Sequence, residues 1–311
     1  MNVMIKRSTA VSAAVLVTLM WSSSYFLNKA AFEQGIGPFT LAGLRFLIGA
    51  AALSVCLLPG RTGAAGKRSG VAWQREEAGR SGRIPVYLWI LLGLTGYAAA
   101  QGLQYAGQKL LAPTQVSLLL SAANTLLVLG IDRLGAKEAG DHATRLGSLA
   151  MIAGIALFYF PWRLSAEDGF GIGLVLLSSA GYAIHLSLNR SLLGRRRLSP
   201  LPLTLIPMAI GGCALLAVGL SLEDLPKLGP ALLTIIVWLG VVNGAGAFIL
   251  WTWSQKFLSA ADSSLINNLM LVEIALLEVL LLHRKFEVYR WAAIALVLGA
   301  VLFTQLRRRR L

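Results

Sequence analysis

The stretch PALLTIIVWLGVVNGAGAFILWTWS, residues 230–254, runs for 25 positions without a charged side chain. A helix rises about 1.5 Å per residue, so this run crosses the roughly 30 Å of hydrocarbon in a bilayer, whereas a soluble helix of that length needs a polar face. The whole chain agrees. Its 311 residues are 56% hydrophobic and 14% charged, where soluble domains carry about a quarter charged residues. Working outward, nine more apolar runs bounded by Gly, Pro and charge lie near 9–29, 39–58, 86–108, 113–131, 144–161, 170–190, 201–220, 262–282 and 288–306. The expected fold class is all-α and integral to the membrane, with ten transmembrane helices and loops too short for a sizeable soluble domain. Lys6 and Arg7 precede the first run as in a signal peptide. The apolar stretch continues past Met20 without a small-residue cleavage site, so it reads as a retained helix.

A net charge of +14 points to nucleic acid in a soluble protein, but here topology accounts for it. With the N-terminus inside, 20 of the 28 basic residues fall in cytoplasmic segments, 7 in outer ones, and Arg45 within a span. Lys and Arg gather on the cytoplasmic side of membrane proteins. Both termini are therefore expected in the cytoplasm, the protein is expected to be multi-pass in the plasma membrane, and no nucleic-acid partner is implied. The one long connection, 59–85, is rich in Gly, Arg and Ser and reads as a cytoplasmic loop. Its Gly66-Lys67-Arg68 lacks the flanking Gly and the Ser or Thr of a phosphate-binding loop, and no His-Glu-x-x-His site occurs. No cofactor and no metal are expected. Cys56 and Cys213 lie in apolar runs and read as free core thiols.

Displacing the chain against itself by 147 residues brings Leu92-Gly93 onto Leu239-Gly240, Gln108-Lys109 onto Gln255-Lys256, and Ser117-Leu118 onto Ser264-Leu265. A displacement of 161 to 162 brings Leu27-Asn28-Lys29 onto Leu188-Asn189-Arg190 and Pro38 onto Pro200. Two five-helix units are expected, 1–162 with its 59–85 loop and 163–311. Because five is odd, the second copy enters the membrane from the opposite side and the repeat is inverted. Transporters built this way hold substrate near the bilayer midplane, between the halves.

The segment Trp21-Ser22-Ser23-Ser24-Tyr25-Phe26 leading to Lys29, followed by Gly37-Pro38-Phe39-Thr40-Leu41 and Leu44-Arg45-Phe46-Leu47, resembles the opening of EamA-type members of the drug/metabolite transporter superfamily. The resemblance covers nearly the whole chain. It implies ten helices in two repeats, a bacterial inner-membrane location, and export of amino acids, metabolites or drug-like compounds. Two features depart from the family pattern. Asn124 and Leu271 stand where the fourth and ninth helices usually carry a mid-helix Pro, and Ala136-Lys137-Glu138 only loosely echoes a Gly-Glu pair.

Polar side chains in hydrocarbon are costly unless they face a partner or a wet cavity, so polar groups at helical spacing mark an inward face. The first helix shows Trp21, Ser24, Tyr25 and Asn28, and the third shows Tyr97, Gln101, Gln104, Tyr105 and Gln108. The fourth offers Thr114, Ser117, Ser121 and Asn124, and the sixth offers Ser178, Tyr182, His185 and Asn189. Asn243, Trp251 and Ser254 share a face of the eighth helix, and Ser264, Asn267 and Asn268 share one on the ninth. For Ser and Thr the plainer reading is helix-to-helix hydrogen bonding; five amides and phenols on the third helix exceed that need and point to a cavity wall. Aromatic walls with amides suit a neutral, zwitterionic or planar solute, without a fixed strong charge.

Arg45, Glu273 and Glu278 are the ionisable groups expected within spans, at depths that permit an ion pair between Arg45 and either glutamate. Arg45 has the alternative of snorkelling to the interface. Glu273 lies about half a turn from Ser264 and is expected to face away from the cavity. If transport is proton-coupled, Glu273, Glu278 and His185 are the buried groups available. The function expected is secondary transport of a small-molecule substrate, an amino acid or metabolite, by a protein whose other partner is the lipid bilayer. The alternatives are a passive channel and a membrane enzyme or lipid-handling protein. An enzyme needs clustered catalytic groups, which His142, His185 and His283 do not supply.

Overall fold

The computed structural model describes residues 2–57, 85–136, 142–161, 164–196, 202–254, 257–258 and 260–308. Nearly all of the 59–85 loop, the Gln255-Lys256 pair and the side chains of Cys56, Asn189 and Ser264 lie outside them. Among the described residues the chain forms ten helical runs and no strand. They are α1 (Asn2–Glu33), α2 (Pro38–Leu57), α3 (Val86–Leu110), α4 (Pro113–Ala136) and α5 (His142–Phe158), then α6 (Ala166–Arg196), α7 (Pro202–Leu222), α8 (230–254), α9 (Ala260–Leu282) and α10 (Val288–Arg308). Of the ten expected spans, six are long and apolar enough on their described residues to cross a membrane: those in α1, α2, α3, α6, α7 and α8. Arg145–Phe158 and Val288–Thr304 are shorter apolar helices.

The exterior of the bundle is apolar. Leu149, Ile152, Phe170, Leu177, Val237 and Trp238 are exposed, whereas Ser22, Asn28, Ser178 and Asn243 are buried. That inversion suits a lipid solvent, in which buried polar groups find their partners inside the protein. Cys213 joins the exposed set as a free thiol, which corrects the core position expected for it. An apolar run has no preferred side, and helix rotation puts this position outward.

Proline opens α2, α4, α7 and α8, where its missing N–H costs nothing and its fixed φ suits the first turn. Between α1 and α2, Gly35 adopts φ 90° and ends α1 with a bond from its N–H to the Phe32 carbonyl. α2 packs closely on α7 because Gly43 leaves room for the Leu216 backbone, whose nitrogen lies only 2.6 Å from where a Cβ at Gly43 would stand.

Two helices share a local distortion. α3 turns π-helical over Leu94–Gly102 and α8 over Val241–Gly246, and the two segments begin 147 residues apart. Just before each lies a glycine against a neighbouring helix. A Cβ on Gly93 would meet Ile210 at 2.8 Å and the Pro207 carbonyl at 3.0 Å; one on Gly240 would meet Ile48 at 2.6 Å and the Arg45 carbonyl at 3.1 Å. Ile48 and Arg45 precede Ile210 and Pro207 by 162 positions, so one glycine contact is built twice. π segments release backbone carbonyls, and here each gains a side-chain donor. Ser178 Oγ donates to the Ala100 carbonyl and Trp21 Nε1 to the Asn243 carbonyl.

Candidate functional site

Between the helices lies a cavity of about 790 Å³ to which every helix except α5 contributes. α1 places Trp21, Ser24 and Tyr25 on its wall, and α2 places Arg45 and Phe46. α3 gives its full stripe of Tyr97, Gln101, Gln104, Tyr105 and Gln108, and α4 gives Ser117, Ser121 and Asn124. Tyr182 comes from α6, Asn243 and Trp251 from α8, and Asn267 and Asn268 from α9. The apolar wall, which carries no signal inside a hydrophobic span, was missed by sequence reasoning: Met208, Phe248, Met270 and Ile274.

Two expected wall residues stand elsewhere. Asn28 is fully buried and donates from Nδ2 to Gln108 Oε1 at 2.7 Å, tying α1 to α3 beyond the cavity. His185 turns its ring into the space left by Gly96, donates from Nδ1 to the Leu92 carbonyl at 3.1 Å, and meets Tyr97 edge-on at 6.0 Å between centroids. The π segment of α3 brings its backbone within reach of that ring.

The charged groups correct a further expectation. Glu273 accepts hydrogen bonds from Thr18 and Ser22 of α1, both at 2.8 Å, and is off the cavity wall. Glu278 accepts the Thr114 N–H at 2.9 Å and pairs with Arg284 at 3.3 Å. Arg45 pairs with neither. Its Nη1 donates to the Tyr105 hydroxyl, and its guanidinium lies 5.7 Å and 5.9 Å from the centres of the Phe46 and Tyr105 rings. Depth along the helix sets height in the membrane, whereas pairing depends on azimuth, and both glutamates look elsewhere. The cavity therefore does carry a fixed charge.

Several buried polar atoms on the wall lack a protein partner: Arg45 Nε, Ser121 Oγ, Asn124 Oδ1 and Asn243 Oδ1. Buried polar groups are ordinarily satisfied, so these four atoms, each closed off from solvent, mark a polar stretch of wall without a protein partner. Trp21 and Trp251 stand 5.3 Å apart between centroids, tilted by 52°, and add an aromatic corner to the wall. Among the described residues no group of three or more His, Cys, Asp or Glu side chains could hold a metal ion.

The two ends of the cavity differ. Ala10 and Ala14 of α1 pack with Leu258 and Ile266, which defines the terminal end of the bundle. Toward the far end the polar residues Asn28, Gln108, Thr114 and Glu278 are buried. Toward the terminal end Asn124, Thr204 and Trp251 are half-buried and Asn267 is exposed. Asn28, Gln108, Thr114 and Glu278 at the far end are thus more deeply buried than Asn124, Thr204, Trp251 and Asn267 toward the terminal end. Two carboxylates bind helix ends there. Glu223, one residue beyond α7, accepts the Phe39 and Thr40 N–H groups at 2.8 Å each, and Glu278 of α9 accepts that of Thr114, so each caps the N-terminus of a helix from the first half.

The sequence pattern of the EamA-like transporter family matches residues 8–160 and again 169–306. The chain belongs to the EamA-like transporter family. It is a multi-pass membrane protein of a transporter family, and its fold resembles a solved crystal structure, described only as a protein, with a TM-score of 0.65 at 20% identity over 98% of each chain. At that identity the likeness concerns the fold alone. No curated protein matches the chain.

Proposed function

We propose that this EamA-like protein is a secondary transporter in the bacterial inner membrane that exports amino acids or related small metabolites. In this reading ten helices form two inverted five-helix units, 1–162 and 163–311, which rock about the central cavity and expose it alternately to each side. The observation that carries it is the paired wall: Tyr97, Gln101 and Gln104 of α3 and the residues 147 positions later, Gly244, Phe248 and Trp251 of α8, all face the same cavity. The doubled glycine contact and the matched π segments support it. So does the deeper burial of the polar residues at the far end, since a pore open at both ends has no need of that asymmetry.

With both termini in the cytoplasm, the end of the cavity with the less buried polar residues faces the cytoplasm. At the positions in the other half that correspond to Glu223 and Glu278 the chain has Arg61 and Ile131. The test is flux from proteoliposomes loaded with a panel of radiolabelled amino acids. Saturable efflux accelerated by unlabelled substrate on the other side is expected. Conductance without saturation would identify a channel instead.

A further inference from the structure

We propose that the cavity selects solutes bearing a carboxylate, which docks on Arg45 while the solute's apolar body lies against Phe248 and Trp251. This rests on the transporter reading for its site and extends it to a chemical requirement. Arg45 is 8% exposed, and its Nε has no partner. Among the described residues no carboxylate lies within ion-pair reach of it, and no Asp or Glu lines the cavity. Glu273 and Glu278, the nearest candidates by depth, are engaged with α1 and with the α4 N-terminus. A buried guanidinium without a counter-charge is costly, and an anion entering the cavity relieves that cost.

The neighbours of Arg45 are set up to donate as well. The Tyr105 oxygen already accepts from Arg45 and the Tyr25 oxygen accepts from Gln104 Nε2 at 3.1 Å. A phenol that accepts still has its own proton to give. Both side chains line the cavity, so a carboxylate there meets a guanidinium charge and two phenols, the ingredients of a charge-assisted contact.

The opposite wall has the contrary character. Arg45 and Phe46 correspond at 162 positions to Pro207 and Met208, and Gln101 and Gln104 correspond at 147 to Phe248 and Trp251. At these matched positions the first repeat supplies charge and donors and the second supplies apolar surface. An amphipathic carboxylate fits this pair of walls; an amine has no carboxylate to meet it.

The test uses the full chain in detergent, with tryptophan fluorescence as the reporter, titrated with 3-phenylpropionate, phenylalanine, phenylalaninamide and phenethylamine. The two carboxylates are expected to bind at least about tenfold more tightly than the amide and the amine, the scale of one charge-assisted contact. In R45Q that preference should fall to within about twofold, and R45K should retain part of it, because a point charge replaces the guanidinium. If neither variant folds, the wild-type series decides by itself. Equal binding of phenylalanine and phenylalaninamide overturns the proposal, as does a preference that survives R45Q, or binding by none of the carboxylates. Flux separates the two readings: transport of the amide or amine without the acids leaves the transporter standing and removes the carboxylate requirement, whereas Arg45-dependent binding of the acids without flux does the reverse.

Discussion

α3 and α8 are the same backbone device with opposite chemistry. Each passes from α to π geometry at positions 147 residues apart, each packs a glycine on an isoleucine of α7 or α2, and each presents three corresponding residues to the cavity. Yet α3 presents Tyr97, Gln101 and Gln104 where α8 presents Gly244, Phe248 and Trp251. The contrast separates two demands on a repeated unit. Close packing at the glycine and the π segment is kept in both copies, because a side chain there forces the helices apart. The wall residues touch the cavity and are free to differ, so at the matched positions the phenol and amides stand on α3 and the apolar surface on α8.

The largest effect is expected from breaking what the two helices share. Gly93→Leu and Gly240→Leu each drive a side chain into an isoleucine and should destabilise by about 1–3 kcal/mol or more. Melting temperature and monodisperse yield in detergent measure this, and similar losses in both variants are expected if the contacts are equivalent. Next come the residues that differ. Gln101→Ala should lower flux in proteoliposomes about tenfold with melting unchanged, since it removes an amide facing the solute, whereas Tyr105→Phe should lower both, since it also leaves Arg45 without its acceptor. Phe248→Gln, which places an amide on the apolar wall, should weaken binding of aromatic carboxylates more than of acetate.

A smaller effect is expected at the far end. Glu278→Gln removes a charged cap on α4, and a loss of about 1 kcal/mol in far-end closure is roughly a fivefold shift in population. Labelling of S117C by a membrane-impermeant maleimide from the far side, with Cys56 and Cys213 replaced by alanine, should rise accordingly. The smallest is at His185, which packs behind the wall. His185→Gln should leave flux within about twofold while lowering stability by about 1 kcal/mol. A large loss of flux with normal melting would return His185 to the transport path.

Much of this was legible in the sequence because the signals are local. Hydropathy located the helices, and the third-helix stripe from Tyr97 to Gln108 located a polar face that the structure turns toward the cavity. The 147-residue displacement located the repeated glycines before any contact was known. The apolar wall was illegible, since Met208, Phe248 and Ile274 look like any other residues of a hydrophobic span. Asn28 shared the periodicity of the cavity face and still fell outside it, because spacing gives an angle around a helix and says nothing of where along its length the cavity ends.

The sequence by itself determined that this chain lives in lipid, that its helices have polar sides, and that it repeats. Only the tertiary structure decided which charges meet. Arg45, Glu273 and Glu278 have compatible depths, and depth follows from counting residues along an axis. Whether they touch depends on how each helix is rotated and against which neighbour it packs. Those rotations send the glutamates to α1 and α4 and leave the guanidinium facing the cavity.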